Sequence, residues 1–205
     1  MTDIQPSRAV RSALVKRKTK ETEIELKLAL DGSGQYAIDS GQPFFDHMLA
    51  QVAVHGLFDL ELCARGDLHI DAHHTIEDTG LALGEAFFQA LGDRAGLARM
   101  ASAYCPMDES LARVVVDFSG RPYAVIRAAW TGLQVGGIAT TLLEHFLESF
   151  AMAARCNLHV ELLYGRDDHH KAEALFKALA RALAAGVQIE PRRAGRVPSS
   201  KGVLF

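Results

Sequence analysis

His73-His74-Thr75-Ile76-Glu77 and His169-His170-Lys171-Ala172-Glu173 write the pattern His-His-x-x-Glu twice in one chain of 205 residues. A further histidine precedes each copy, His47 by 26 residues and His145 by 24. With those two histidines superimposed, Asp59-Leu60-Glu61-Leu62 falls over Asn157-Leu158-His159-Val160, and a two-residue difference in one turn brings the motifs into register. Three matched features predict an internal duplication, as opposed to two similar βα units without common packing.

Hydrophobic periodicity supports that reading. Ile24, Leu26, Leu28 and Leu30 alternate as a half-buried strand. Asp31-Gly32-Ser33-Gly34 reads as a turn, with 35–39 returning as the second strand of a hairpin. Helical spacing runs over 45–54, ended by Gly56, and again over 73–91. Between them Asp59 to Ala64 alternates, and Leu68 to Asp71 is expected to pair back after a turn at Arg65-Gly66-Asp67. Residues 92–110 are mixed. Strands are expected at 111–118 and 123–130 around Ser119-Gly120-Arg121-Pro122, then a helix at 140–155, a strand at 157–163 and a helix at 168–185. The expected fold class is α+β: an internally duplicated single domain of two pseudo-symmetric halves, each a mixed β-sheet with helices packed on one face. The repeats cover about 10–92 and about 100–187, followed by a basic tail, 188–205.

Composition narrows the function classes. The net charge is −3, which argues against a nucleic-acid binder driven by bulk positive charge. No apolar run approaches a membrane span, and the first residues lack the apolar core of a signal peptide. Cys63, Cys105 and Cys156 lie far apart in the sequence, as expected of reduced thiols in a cytoplasmic protein.

On a helix, residues i and i+3 share a face. This spacing predicts that His74 and Glu77 hold one ion, and His170 and Glu173 another. Neighbouring residues point about 100° apart, so His73 is expected to join His170 and Glu173, and His169 to join His74 and Glu77. His47 and His145 add one ligand per ion, in an order the spacing leaves open, as it leaves open whether one chain supplies a whole site. Three imidazoles and one carboxylate without thiolate suit Mn²⁺, Fe²⁺, Co²⁺ or Zn²⁺. An ion with open positions is catalytic in kind. His55, His69 and His159 have structural readings, His55 as a cation at a helix C-terminus.

Phe44-Phe45-Asp46-His47-Met48-Leu49, His69 to Thr79, Ser119 to Tyr123, His145 to Phe150, Leu163 to His170 and Pro198-Ser199-Ser200-Lys201-Gly202 resemble imidazoleglycerol-phosphate dehydratase, an enzyme family of histidine biosynthesis. The resemblance runs from about Arg17 to Lys201. Ala72, at a position where Asp is frequent, and Val54, at a frequently basic one, depart from the family pattern. The resemblance implies two Mn²⁺ per subunit holding the substrate imidazole as imidazolate. It also implies dehydration of D-erythro-imidazole-glycerol phosphate to imidazole-acetol phosphate through a diazafulvene-like intermediate. Glu21 matches the family's acid/base, with Glu77 and Glu173 acting as metal-bound carboxylates. Arg99, Arg121, Ser199, Ser200 and Lys201 match its phosphate and substrate contacts. His47, Gln51, His55 and Lys177 would line the pocket. A large homo-oligomer, a 24-mer of cubic symmetry with metal sites between subunits, is implied by the resemblance alone, with neither nucleic acid nor membrane as partner.

Two other classes remain at this point. A phosphate- or RNA-binding module on such a scaffold would have no use for eight metal-type ligands. A dimetal hydrolase would turn metal-bound water on a phosphoester.

Overall fold

A computed structural model describes residues 11–204. The chain runs through β1 (Ser12–Lys18), β2 (Thr22–Ala29), β3 (Tyr36–Asp39), α1 (Pro43–Gly56), β4 (Asp59–Gly66) and α2 (His73–Leu91). It then repeats the order with β5 (Met100–Met107), β6 (Ser110–Asp117), β7 (Tyr123–Arg127), α3 (Thr140–Ala154), β10 (Asn157–Tyr164) and α4 (Asp168–Gly186). A small ribbon, β8 (Gln134–Val135) with β9 (Ile138–Ala139), is inserted before α3. The two sheets have orders β1-β2-β4-β3 and β5-β6-β10-β7. In each, three strands are antiparallel neighbours and the last pairs in parallel.

Alternation decides which face of each sheet is covered. Ile24, Leu26 and Leu28 of β2 and Leu60, Leu62 and Ala64 of β4 are buried, while the residues between them face outward. In the second sheet Ala112, Val114 and Val116 pair this way with Leu158, Val160 and Leu162. The helices then cross-pair between halves, α2 against α3 and α1 against α4. Phe45 of α1 meets Phe146 of α3 edge-on at 5.2 Å, and Phe146 stacks on Phe176 of α4 at 5.6 Å, so one aromatic cluster spans both repeats. Two glycines set the spacing of α2 and α3. A Cβ on Gly80 would lie 2.7 Å from the Phe146 carbonyl oxygen, and one on Gly84 2.5 Å from that of Phe150.

Four local expectations are corrected. Residues 36–39 do not return against β2. They pair in parallel with β4, because α1 intervenes and makes a β–α–β crossover, and the hairpin partner of β2 is β1. The Asp59 carboxylate turns the chain away by accepting N–H bonds from Ser33, Gly34 and Gln35. Leu68 to Asp71 is no strand: the Ile70 N–H donates to the Asp67 carbonyl at 2.8 Å and closes a turn. β5 lies within the stretch read as mixed. β6 and β7 exist but are not a hairpin, since β10 lies between them. Among the described residues, no helix is long and apolar enough to cross a membrane.

Candidate metal centre

Both long helices that carry the repeated motif begin under local control of an aspartate. Asp167 caps α4, accepting from the His169 N–H at 2.7 Å and the His170 N–H at 3.2 Å. Ala72 gives α2 no side-chain cap, but Asp71 accepts from the His73 N–H at 2.8 Å. α1 starts with Pro43 in its first turn, and Asp46 there receives both the N–H and the hydroxyl of Ser40.

These starts bring together two equivalent clusters, one of His73, Glu77 and His145, the other of His47, His169 and Glu173, each with its ligand atoms within 4.8 Å of one another. In the first, Nε2 of His73 and of His145 lie 3.5 and 3.6 Å from Oε2 of Glu77. In the second, Nε2 of His169 and of His47 lie 3.5 and 3.3 Å from Oε2 of Glu173. Two imidazole nitrogens and one carboxylate oxygen, with no thiolate, form a donor set that fits a divalent transition metal.

The motif therefore works through i and i+4, not i and i+3. His73 pairs with Glu77 and His169 with Glu173, whereas the spacing argument had joined His74 to Glu77 and His170 to Glu173. Four helical steps bring side chains within about 40° of alignment and three within about 60°, on opposite sides. The neighbouring helix decides between them. α3 lies on the His73 side of α2 and brings His145, and α1 lies on the His169 side of α4 and brings His47.

His74 and His170 belong to neither cluster. Nδ1 of His74 lies 3.0 Å from Asp67 and Nδ1 of His170 lies 2.7 Å from Glu109. Each contact raises the pKa of its histidine, led in each case by that hydrogen bond. Glu109 is held far below the usual carboxylate range, first by the Asp167 N–H and then by His170. Sequence reasoning missed Asp67, Glu109 and Lys171. The buried Lys171 ammonium binds the Ala129 carbonyl at 3.0 Å and the Thr131 hydroxyl at 2.8 Å, fastening the segment that leads into α3. An aligned pair of hairpin tips was the available signal for Glu109, but β5 was not legible as a strand.

The remaining candidates divide between the two ends of the helices. Gln51 lies over His47, its amide 3.4 Å from Nδ1 and 3.3 Å from the carbonyl. Lys177 pairs with Oε1 of Glu173 at 2.6 Å. Burial pushes Glu173 up, but the Lys177 and His47 contacts outweigh it and leave the carboxyl below its usual value. His55 is lowered by burial and then by Lys177 and Arg181. Glu21 is exposed at the β1–β2 tip, and its charge contributes, after the Asp67 bond and against burial, to the raised pKa of His74.

The phosphate candidates sit elsewhere. Arg99 makes a bidentate pair with Asp117 at 2.6 and 2.9 Å and donates to the Pro198 carbonyl at 2.7 Å, which anchors Ser199, Ser200 and Lys201. The Arg99 N–H donates to the carbonyl of Gly186, at the C-terminal end of α4. Arg121 follows β6 in the turn whose Gly120 N–H donates to the Arg155 carbonyl, just past α3. Glu173 and Gly186 are 13 residues apart on α4, or about 20 Å along the axis.

Fold and site together define the class: a duplicated α+β enzyme with twin clusters of metal-type donors. A family model described as imidazoleglycerol-phosphate dehydratase matches residues 40–183. The imidazoleglycerol-phosphate dehydratase of Zymomonas mobilis is 54% identical over 194 residues, covering 95% of this chain and 99% of that one. That of Dehalococcoides mccartyi is 55% identical over 194 residues, covering 95% and 97%. The solved structure from Pyrococcus furiosus matches with a TM-score of 0.81 at 34% identity, covering 93% of this chain and 100% of that one. That from Staphylococcus aureus gives 0.79 at 34% identity, covering 87% and 99%. The chain belongs to the imidazoleglycerol-phosphate dehydratase family of enzymes.

Proposed function

We propose that this chain dehydrates D-erythro-imidazole-glycerol phosphate to imidazole-acetol phosphate in histidine biosynthesis, on a dimetal centre completed between subunits. The observation that carries the reading is the twin arrangement of two imidazole Nε2 atoms around one carboxylate oxygen, in a member of this family. Two Mn²⁺ per subunit would be held by His73, Glu77 and His145 and by His47, His169 and Glu173. His74 and His170 of neighbouring copies would add a third imidazole to each. Bound there, the ions would supply Lewis-acid stabilisation of the substrate ring held as imidazolate.

The chain's own groups do the rest. Glu21 stands exposed on a hairpin tip within electrostatic reach of His74, where a carboxylate can take and return the proton that dehydration moves. Lys177 and His47 keep Glu173 ionised, and Gln51 steadies His47. Arg99 presents Ser199, Ser200 and Lys201 as donors for the phosphate, joined by Arg121. Those groups lie about 15–20 Å along the helices from the clusters of their own chain. A substrate of one five-membered ring and three carbons is much shorter. This separation supports a large homo-oligomer, a 24-mer by family likeness, in which one copy supplies metal ligands and another the phosphate contacts. The three free cysteines accord with a cytoplasmic setting.

The test is to load the purified chain with Mn²⁺, count metal per chain, determine its mass by light scattering, and follow product by mass spectrometry. Two ions per chain, an assembly well above a dimer and turnover are expected. An assembled, fully loaded protein without turnover on this substrate overturns the reading.

A further inference from the structure

The two β-hairpins that open the halves are in register along their whole length. Ser12 pairs with Ala29 as Met100 pairs with Asp117, and Thr22 occupies in β2 the place Ser110 occupies in β6. Every one of these positions is offset by 88 residues, so Glu21 and Glu109 are the same place in the repeat, the carboxylate at the hairpin tip. Their surroundings differ. Among the described residues the Glu21 carboxylate makes no hydrogen bond. Glu109 makes four contacts: Oε1 accepts from the Asp167 N–H at 2.9 Å, the Arg166 N–H at 3.0 Å and the Ser110 hydroxyl at 3.2 Å, and Oε2 faces Nδ1 of His170 at 2.7 Å. In the first half the corresponding histidine, His74, turns Nδ1 to Asp67 instead.

We infer that Glu109 and Asp67 are positioning residues for the metal centre: each accepts a hydrogen bond from the Nδ1–H of its histidine and so fixes the tautomer whose Nε2 lone pair is free to bind metal. A carboxylate beside Nδ1 can only accept, so the proton is fixed on Nδ1 and the ring is aimed. The Asp108 carboxylate lies 3.8 Å from Nε2 of His170, beyond hydrogen-bonding distance, and among the described residues that nitrogen makes no hydrogen bond. The duplicated hairpin tip has thereby split in role. Glu109 is committed to His170, and Asp67 relieves Glu21 of the equivalent task, leaving that carboxylate open to substrate.

The inference rests on the reading of His74 and His170 as metal ligands, and the experiment separates the two. Glu109→Gln retains a carbonyl oxygen for the two backbone N–H groups, which pin it there. The amide –NH₂ then faces His170 and forces the proton onto Nε2. Mn²⁺ titrations of the whole protein at pH 8 are expected to show the affinity of one equivalent weakened about 10–100-fold and the other retained. Melting of the chelated protein checks that the variant is folded. Asp67→Ala, which removes no loop contact of that kind, is expected to weaken the other equivalent and decides the matter if the Glu109 variant unfolds. Adding Glu109→Gln to His170→Ala should change nothing further. Wild-type affinity in Glu109→Gln or Asp67→Ala, with His170→Ala or His74→Ala impaired, overturns the inference for that pair. Wild-type affinity in both histidine variants overturns the ligand reading itself.

Discussion

His73 and Glu77 stand one helical turn apart on α2 with Nε2 and Oε2 3.5 Å from each other, while the ring of His74, next in sequence, is turned to Asp67. Consecutive histidines thus serve different partners. The same division recurs at His169 and His170 on α4, 3.5 Å from Glu173 and 2.7 Å from Glu109 respectively.

Replacing both His73 and Glu77 by Ala should therefore empty one cluster and spare the other. Elemental analysis is expected to fall from two manganese per chain to about one. Loss of both ions, or of neither, contradicts the division of ligands described above.

Glu21→Gln tests the proposed proton carrier. General acid–base groups contribute about 10²- to 10⁴-fold, and kcat should drop by a factor in that range. Manganese content and assembled mass should stay unchanged, since Glu21 touches neither cluster. Loss of metal would move Glu21 into the ligand set.

The Asp67–His74 contact makes a signed prediction for the chelated protein. His74 has its pKa raised from 6.5, chiefly by the Asp67 hydrogen bond. A raised value stabilises the fold below the unfolded pKa, and that contribution is lost as pH rises through the folded one. Asp67→Asn should lower the melting temperature more at pH 5.5 than at pH 8.5. A gap that is constant, or wider at high pH, contradicts the pairing.

Gly84 sets how closely α3 approaches α2. A Cβ there would lie 2.5 Å from the Phe150 carbonyl oxygen, so Gly84→Leu must push the helices apart. Overpacking of this kind costs about 1–3 kcal/mol, and each kcal/mol lowers the melting temperature of a chain this size by about 2–4 °C. Because α3 carries His145, manganese affinity should fall at the His73–Glu77–His145 cluster and hold at the other. Equal loss at both would show a general destabilisation.

Much of this protein is legible in its sequence because its information is periodic. Alternation in Thr22–Ala29 and Asp59–Gly66 and helical spacing in His73–Leu91 identify elements whose buried faces depend only on local geometry. The repeated His-His-x-x-Glu, with His47 and His145 upstream, identifies the donor types of the proposed metal centre and the duplication. β1 and β5 escape that logic. Lys16, Arg17 and Lys18 on an edge strand, and Pro106 and Met107 at the end of another, disguise the alternation.

What the sequence by itself determined, then, is the duplicated α+β fold and the donor chemistry of its two motifs. Which histidine meets which glutamate was decided by tertiary structure alone. Positions i+3 and i+4 flank the same face of a helix, so spacing admits both His73 and His74 as partners of Glu77. The close approach of α3, permitted by Gly80 and Gly84, places His145 on one flank and selects His73. The carboxylate of Asp67, at the end of β4, draws His74 to the other. Likewise Glu109 reaches His170 only because a hairpin tip and the start of α4, 61 residues apart, are folded side by side.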